Sequence, residues 1–184
     1  MELAVEPATA GRWDDLVAVF GERGDPARCW CAYLRQPSVD YRAREDNRAA
    51  LRSAVLAGPP PGVLAYSGGE PVGWASVAPR ADLPRLGRSR VLAPEPGDGV
   101  WAVLCFVVPV RHRRQGVAAA LLDGAVAHAR AGGAAALDGH PLDDTGGARF
   151  SGAAAFTGLA SMFVKAGFTE IARRGDRPVF RRVL

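Results

Sequence analysis

The chain has 184 residues, 48% of them hydrophobic and 23% charged, and a formal net charge of +4. Its size and balance predict one folded domain, residues 1–184, and exclude a disordered or fibrous chain. The longest apolar run, Trp101 to Val110, is strand-sized and falls short of a bilayer span, and the first residues lack the pattern of a signal peptide, so a cytoplasmic protein with no membrane partner is expected.

Glu2 to Glu6 alternates and predicts a first strand. Trp13, Leu16, Val17 and Phe20 share one helical face, closed by Gly21 and Gly24. A second helix is predicted from Arg44 to Leu56, stopped by Gly58-Pro59-Pro60-Pro61. Val63 to Tyr66 and Pro71 to Val77, joined by Ser67-Gly68-Gly69-Glu70, read as a hairpin. Residues 79–99 carry prolines, glycines and arginines and read as an irregular excursion over a site. Val100 to Val108 is the strongest strand, apolar on both faces and therefore central. Pro109 to Gln115 forms a turn into a helix from Gly116 to Ala131, whose buried stripe is Val117, Leu121, Leu122, Ala125 and Ala129. Ala134 to His140 reads as the next strand, Thr157 to Ala166 as a last helix ended by Gly167-Phe168, and Pro178 to Val183 as the closing strand. The fold class is α/β (α+β), a mixed sheet with helices on its faces.

Nearly all the positive charge is arginine, Lys165 being the only lysine. A mild basic excess suits an anionic ligand. No dense basic run with interleaved aromatics is present, so nucleic acid is not the expected partner. Cys29, Cys31 and Cys105 make an odd count that argues against a disulfide framework. Cys29-Trp30-Cys31 would need two more ligands to hold zinc, and no histidine spacing supplies them, so no metal is expected.

Arg113-Arg114-Gln115-Gly116-Val117-Ala118 fits the pattern Arg/Gln-x-x-Gly-x-Gly/Ala. The pattern alone carries little in a chain this rich in these residues, and residues 130–135 and 149–154 also match it. Only the match at 113 lies between a strong strand and a helix. There the helix N-terminus offers unpaired N–H groups and partial positive charge, which a pyrophosphate satisfies. Gly116 allows close approach, and Arg111, Arg113 and Arg114 add charge. Neither a Walker loop nor a dinucleotide fingerprint is present.

The stretch Val108 to Ala118 resembles the acyl-CoA-binding signature of the GNAT superfamily of N-acetyltransferases. Ser161-Met162-Phe163-Val164-Lys165-Ala166-Gly167-Phe168 resembles the closing signature of that fold, and Gly167 lies 51 residues after Gly116, about the spacing that fold uses. Residues 28–35 further resemble a subgroup of actinobacterial members. The resemblance implies the GNAT fold, a mixed sheet of about six to seven strands with about four helices. It implies acetyl-CoA as co-substrate, with the pyrophosphate on Arg113, Arg114, Gln115, Gly116, Val117 and Ala118. The pantetheine arm would run beside Phe106, Val107 and Val108, and the thioester would sit where this strand and the strand 134–140 splay apart. Two departures stand out. Pro109 lies one residue before the family's usual proline position, and Phe163 replaces a tyrosine that could protonate the leaving thiolate.

An amine acceptor must lose a proton before attack, so a carboxylate or histidine near the cleft is needed. Asp138 and His140 share a face near a strand end and are the candidate bases, with Asp98 a weaker one; Ser161 is the candidate proton donor. Trp30, Tyr33, Trp74 and Trp101 are candidate acceptor-pocket residues, and core packing explains each equally well. The expected reaction is direct acetyl transfer to a primary amine, with a small molecule preferred over a protein N-terminus or lysine. The acceptor could be an aminoglycoside-like antibiotic, an amino acid or a polyamine, and the chain a monomer or homodimer. A non-catalytic acyl-CoA-binding module and a basic nucleic-acid-binding domain stay open as alternatives.

Overall fold

In the computed structural model, residues 2–37, 41, 47–89, 92, 95–151 and 154–184 are described. Their strands are β1 (Ala4–Pro7), β2 (Gly62–Ser67), β3 (Glu70–Pro79), β4 (Val100–Val107), β5 (Ala136–Gly139), β6 (Thr169–Arg174) and β7 (Arg177–Val183). The helices are α1 (Trp13–Phe20), α2 (Gly24–Cys29), α3 (Ala32–Arg35), α4 (Asn47–Ala57), α5 (Val117–Ala131) and α6 (Ala160–Lys165). The strands form one mixed seven-stranded sheet in the order β1-β2-β3-β4-β5-β7-β6, in which only β4 and β5 run parallel.

Alternation along the strands sorts the side chains to two faces. On one face, Val103, Phe106, Leu137 and Phe180 pack under the stripe of α5 and under Phe163 of α6. On the other, Leu64, Trp74 and Val107 pack under α1 and α4, and Ala102 and Leu104 lie under Leu34, Leu83 and Leu86. Leu83 and Leu86 belong to the excursion, which is thereby anchored over β4. β4 is covered on both faces, as its continuous apolar run predicts.

Two details differ from the sequence expectation. The stretch after α1, for which no element was expected, folds into α2 and α3, joined through Trp30 and Cys31 in left-handed conformation. The second predicted helix is present as α4, and its expected start at Arg44 lies outside the described residues. A strand was missed: β6 is a sheet edge whose Thr169, Glu170 and Ile171 are all exposed, so it lacks the buried alternation that reveals strands.

Candidate active site

β4 is joined to its neighbours over different lengths. On the β3 side the pairing continues to Val107, which lies opposite Trp74. On the β5 side the ladder ends at Val103–Gly139. The break coincides with a bulge. Ser76 pairs with Cys105 while Val77 pairs with Val103, so Leu104 is an extra residue in β4. Among the described residues, 104–107 therefore present one unpaired backbone edge, and β4 and β5 form a fork.

Below the fork the chain turns through Val110–His112 and enters α5. Gly116 caps the helix with φ +82°, and a Cβ placed there would meet nothing within 4 Å. The amide of Ala120 bonds the Gly116 carbonyl, which leaves the amides of residues 117–119 without an intrahelical acceptor. Arg113, Arg114, Gln115 and Gly116 are exposed, Ala118 is half-buried and Val117 points into the core. Arg113 donates to the Val108 carbonyl and Gln115 to that of Arg111, each at 3.0 Å, which braces the turn. Arg111 instead pairs with Glu70 at 2.9 Å and turns toward the β2–β3 hairpin.

The residues proposed for proton transfer have separate environments. Asp138 is fully buried on β5, and its carboxylate is taken up by Arg181 at 2.7 and 2.9 Å and by Arg80 at 3.1 Å. The same two guanidiniums bond the carbonyls of Glu95, Pro96 and Gly97. Asp138 thus ties β5 and β7 to the end of the excursion. Ser161 donates its hydroxyl to Asp144 at 2.6 Å and its amide to the same carboxylate at 2.8 Å, so its proton is committed to fastening the start of α6. Phe163 is fully buried among Phe106, Phe168 and Phe180. A Cβ on Gly139 would stand 2.1 Å from the Phe163 ring, so the ring closes the base of the fork on the α5–α6 face.

His140 is the first residue beyond the last β4–β5 pair. It is 3% exposed, and neither ring nitrogen has a partner among the described residues. Burial pushes its pKa down to about 4; Arg174, Arg80 and Arg177 add to this and Asp138 opposes it. The ring is neutral at physiological pH. Above pH 6.5 the folded and unfolded chains both carry a neutral ring. As pH falls from 6.5 towards 4 the unfolded chain takes up the proton first, so stability is lost through that window. Between pH 7.5 and 4.5 the wild type should lose roughly 2–3 kcal/mol more unfolding free energy than His140→Leu. Urea titrations at the two pH values measure this, and equal losses in the two proteins would refute it.

The candidate pocket aromatics do not converge. Trp74 is fully buried and donates to the Cys31 sulfur at 3.2 Å. Trp30 stacks on Phe20 with centroids 4.6 Å apart. Trp101 packs on Gly132 of the α5–β5 turn. A cavity of about 320 Å³ touches Trp30 and Trp101, but it lies near Val77 and Pro79, at the far end of β4 from the fork. These three tryptophans are core residues, and their size explains why. Tyr33 alone is exposed, and Arg85 of the excursion stacks on its ring at 4.1 Å. The segment after α1 and the excursion therefore do meet. Cys29, Cys31 and Cys105 are free thiols. Among the described residues no group of three or more His, Cys, Asp or Glu side chains is placed to hold a metal, and no helix is long and apolar enough to cross a membrane.

Sequence reasoning missed Arg80, Arg174, Arg177 and Arg181. The signal for Arg174 and Arg177 was the pair Gly175-Asp176, a two-residue hairpin loop that sets them opposite each other.

A parallel strand pair that splays apart above an open helix N-terminus is the arrangement that the sequence resemblance implied, and comparison with known proteins agrees. The model of the acetyltransferase (GNAT) family matches residues 23–144, and the chain belongs to that family. Among similar solved structures is the PaiA N-acetyltransferase from Thermoplasma acidophilum in complex with coenzyme A, 11% identical over 100% of both chains with a TM-score of 0.54. A GCN5-related N-acetyltransferase from Kribbella flavida is 19% identical over 99% of this chain and 98% of that one, with a TM-score of 0.54. YncA from Salmonella typhimurium, solved with its cofactor acetyl-CoA, is 16% identical over 99% and 94%, with a TM-score of 0.53. At these identities the likeness is one of fold. A search of curated protein sequences gave no match.

Proposed function

We propose that the whole chain acts as one cytoplasmic acetyltransferase domain that moves an acetyl group from acetyl-CoA directly to a primary amine of a small molecule. The observation that carries this reading is the unpaired edge of β4 at residues 104–107, opening above the free amides of residues 117–119. Those amides, with Arg113 and Arg114 beside them, suit a pyrophosphate. The open space at Gly116 fits its close approach. The edge of β4 beside Phe106, Val107 and Val108 offers the alternating donors and acceptors that an amide-bearing pantetheine arm can pair with. An unpaired N–H at the bulge can polarise the thioester carbonyl as the amine attacks.

His140 is the base of this reading. It stands at the fork, is neutral at pH 7 and has free ring nitrogens. Asp138 and Ser161 hold the frame instead, because both are already engaged. Phe163 has no proton to give, so the leaving thiolate takes one from solvent or from the ammonium formed in the attack. Cys105 lies beside the fork, but its hydrogen bond with Cys31, and then burial, hold its thiol well above the ordinary range, which makes it a poor nucleophile and favours direct transfer.

The test is release of free thiol from acetyl-CoA over a panel of amines, with acetyl-CoA binding measured on the same sample. Turnover with one class of amine, without an acetylated cysteine, is expected. Phe163 favours a second reading, a non-catalytic acyl-CoA-binding module. Binding without turnover on any amine, protein N-termini and lysines included, would select it.

A further inference from the structure

Between β5 and the β6–β7 hairpin, buried polar groups lack partners. Among the described residues, both ring nitrogens of His140 are buried and unbonded, and so is Nη1 of Arg174. Nη2 of Arg174 is held by Glu95 at 2.5 Å, which fixes the guanidinium and aims its other end away from that contact. Arg177, directly opposite Arg174 across the hairpin, has one long bond of 3.5 Å to the buried Thr157 hydroxyl. The charges acting on the His140 ring are one carboxylate, Asp138, and three guanidiniums, Arg174, Arg80 and Arg177. Asp138 is already spent on Arg80 and Arg181. The cluster is therefore positive, partly desolvated and short of hydrogen-bond acceptors. Leaving such groups unpaired is costly, and a carboxylate supplies both the charge and the acceptor atoms.

The cluster also lies where an acceptor must enter. Asp138 and His140 face away from Leu137, which packs on the α5–α6 face. The α5 N-terminus, which receives the pyrophosphate on the proposed reading, belongs to the same face as Leu137, so the opposite face is left to the acceptor. His140 stands at the fork itself.

We propose that the acceptor is an amine that also carries a carboxylate, an amino-acid-like molecule whose anionic end is bound by Arg174 and Arg177 while His140 receives the amine. This rests on the reading of the chain as an acetyltransferase and narrows its substrate class. A polycation such as a polyamine or an aminoglycoside would meet like charge at the same place and is disfavoured.

Calorimetry on the full chain saturated with coenzyme A decides the matter without requiring turnover. The probes are N-acetyl amino acids and their carboxamides in matched pairs. At least one acid should bind about 30-fold or more tighter than its amide, as expected for a charge-assisted pair. Arg177→Gln should reduce that ratio to below about threefold. Its affinity for coenzyme A should be unchanged, since Arg177 lies away from the turn at 113–118. Arg174→Gln should do the same, with circular dichroism checking that loss of the Glu95 contact leaves the fold intact. If no acid outbinds its amide, or the ratio survives both substitutions, the inference is wrong while the acetyltransferase reading stands. If coenzyme A itself does not bind, both fall together.

Discussion

Gly116→Glu should abolish acetyl-CoA binding and leave the fold in place. The position is exposed and a Cβ there has open space, so no neighbour must move. The backbone sits at φ +82°, so any L-residue with a side chain costs about 1 kcal/mol in strain. A carboxylate at a helix N-terminus recovers part of that through the partial positive charge of the first turn. The same carboxylate occupies the anion site and repels the pyrophosphate. Loss of affinity by at least about 100-fold is expected, because like charge replaces charge-assisted bonds. Gly116→Ala carries the same strain without the charge, and it should lose less than about tenfold. Calorimetric titration of both variants against wild type separates the causes. Unchanged affinity in Gly116→Glu would remove the cofactor from this turn.

What the sequence made legible follows from how local each signal is. The β2–β3 hairpin, β4 and α5 were all readable, since a glycine turn, a continuous apolar run and a 3.6-residue stripe are properties of neighbouring residues. The match at 113–118 was separable from the two others only because it lies between β4 and α5. The fork was implied by resemblance alone. No residue near Val103 or Leu104 announces that pairing stops on one side and continues on the other, because register depends on distant partners. Asp138 and His140 were singled out together as two polar residues on one strand face. Their difference in environment depends on Arg80 and Arg181, 58 and 43 residues away, which reach Asp138.

The missed hairpin had a further consequence. Without β6, Arg174 and Arg177 were merely charges near the C-terminus, and no anion pocket could be inferred. Their position also bears on the proposed base. Two of the three guanidiniums that hold the His140 pKa down are the ones assigned to the acceptor's carboxylate. When that carboxylate arrives, it offsets them and raises the proton affinity of the ring. The base is then strengthened by the substrate it serves, and an amine without a carboxylate would not produce this effect.

Asp138→Asn should destabilise the protein by about 3–5 kcal/mol, the usual cost of removing one partner from a buried ion pair. The carboxylate is fully buried and bonded by two guanidiniums whose side chains are only 14% and 18% exposed. The amide keeps the shape but removes the charge, leaving Arg80 and Arg181 with no counter-ion at that point. Both guanidiniums also hold the Glu95, Pro96 and Gly97 carbonyls, so the end of the excursion should loosen with them. Faster proteolysis within residues 95–97 is the expected local sign, and urea unfolding reports the global one. Arg181→Gln combined with Asp138→Asn should cost less than the sum of the single changes, because the second change removes a charge the first left unpaired. Per folded molecule, kcat should stay within about tenfold of wild type, since Asp138 touches no reacting group on this reading. A variant that unfolds like wild type but loses most of its kcat would return Asp138 to the chemistry and displace His140 as the sole base.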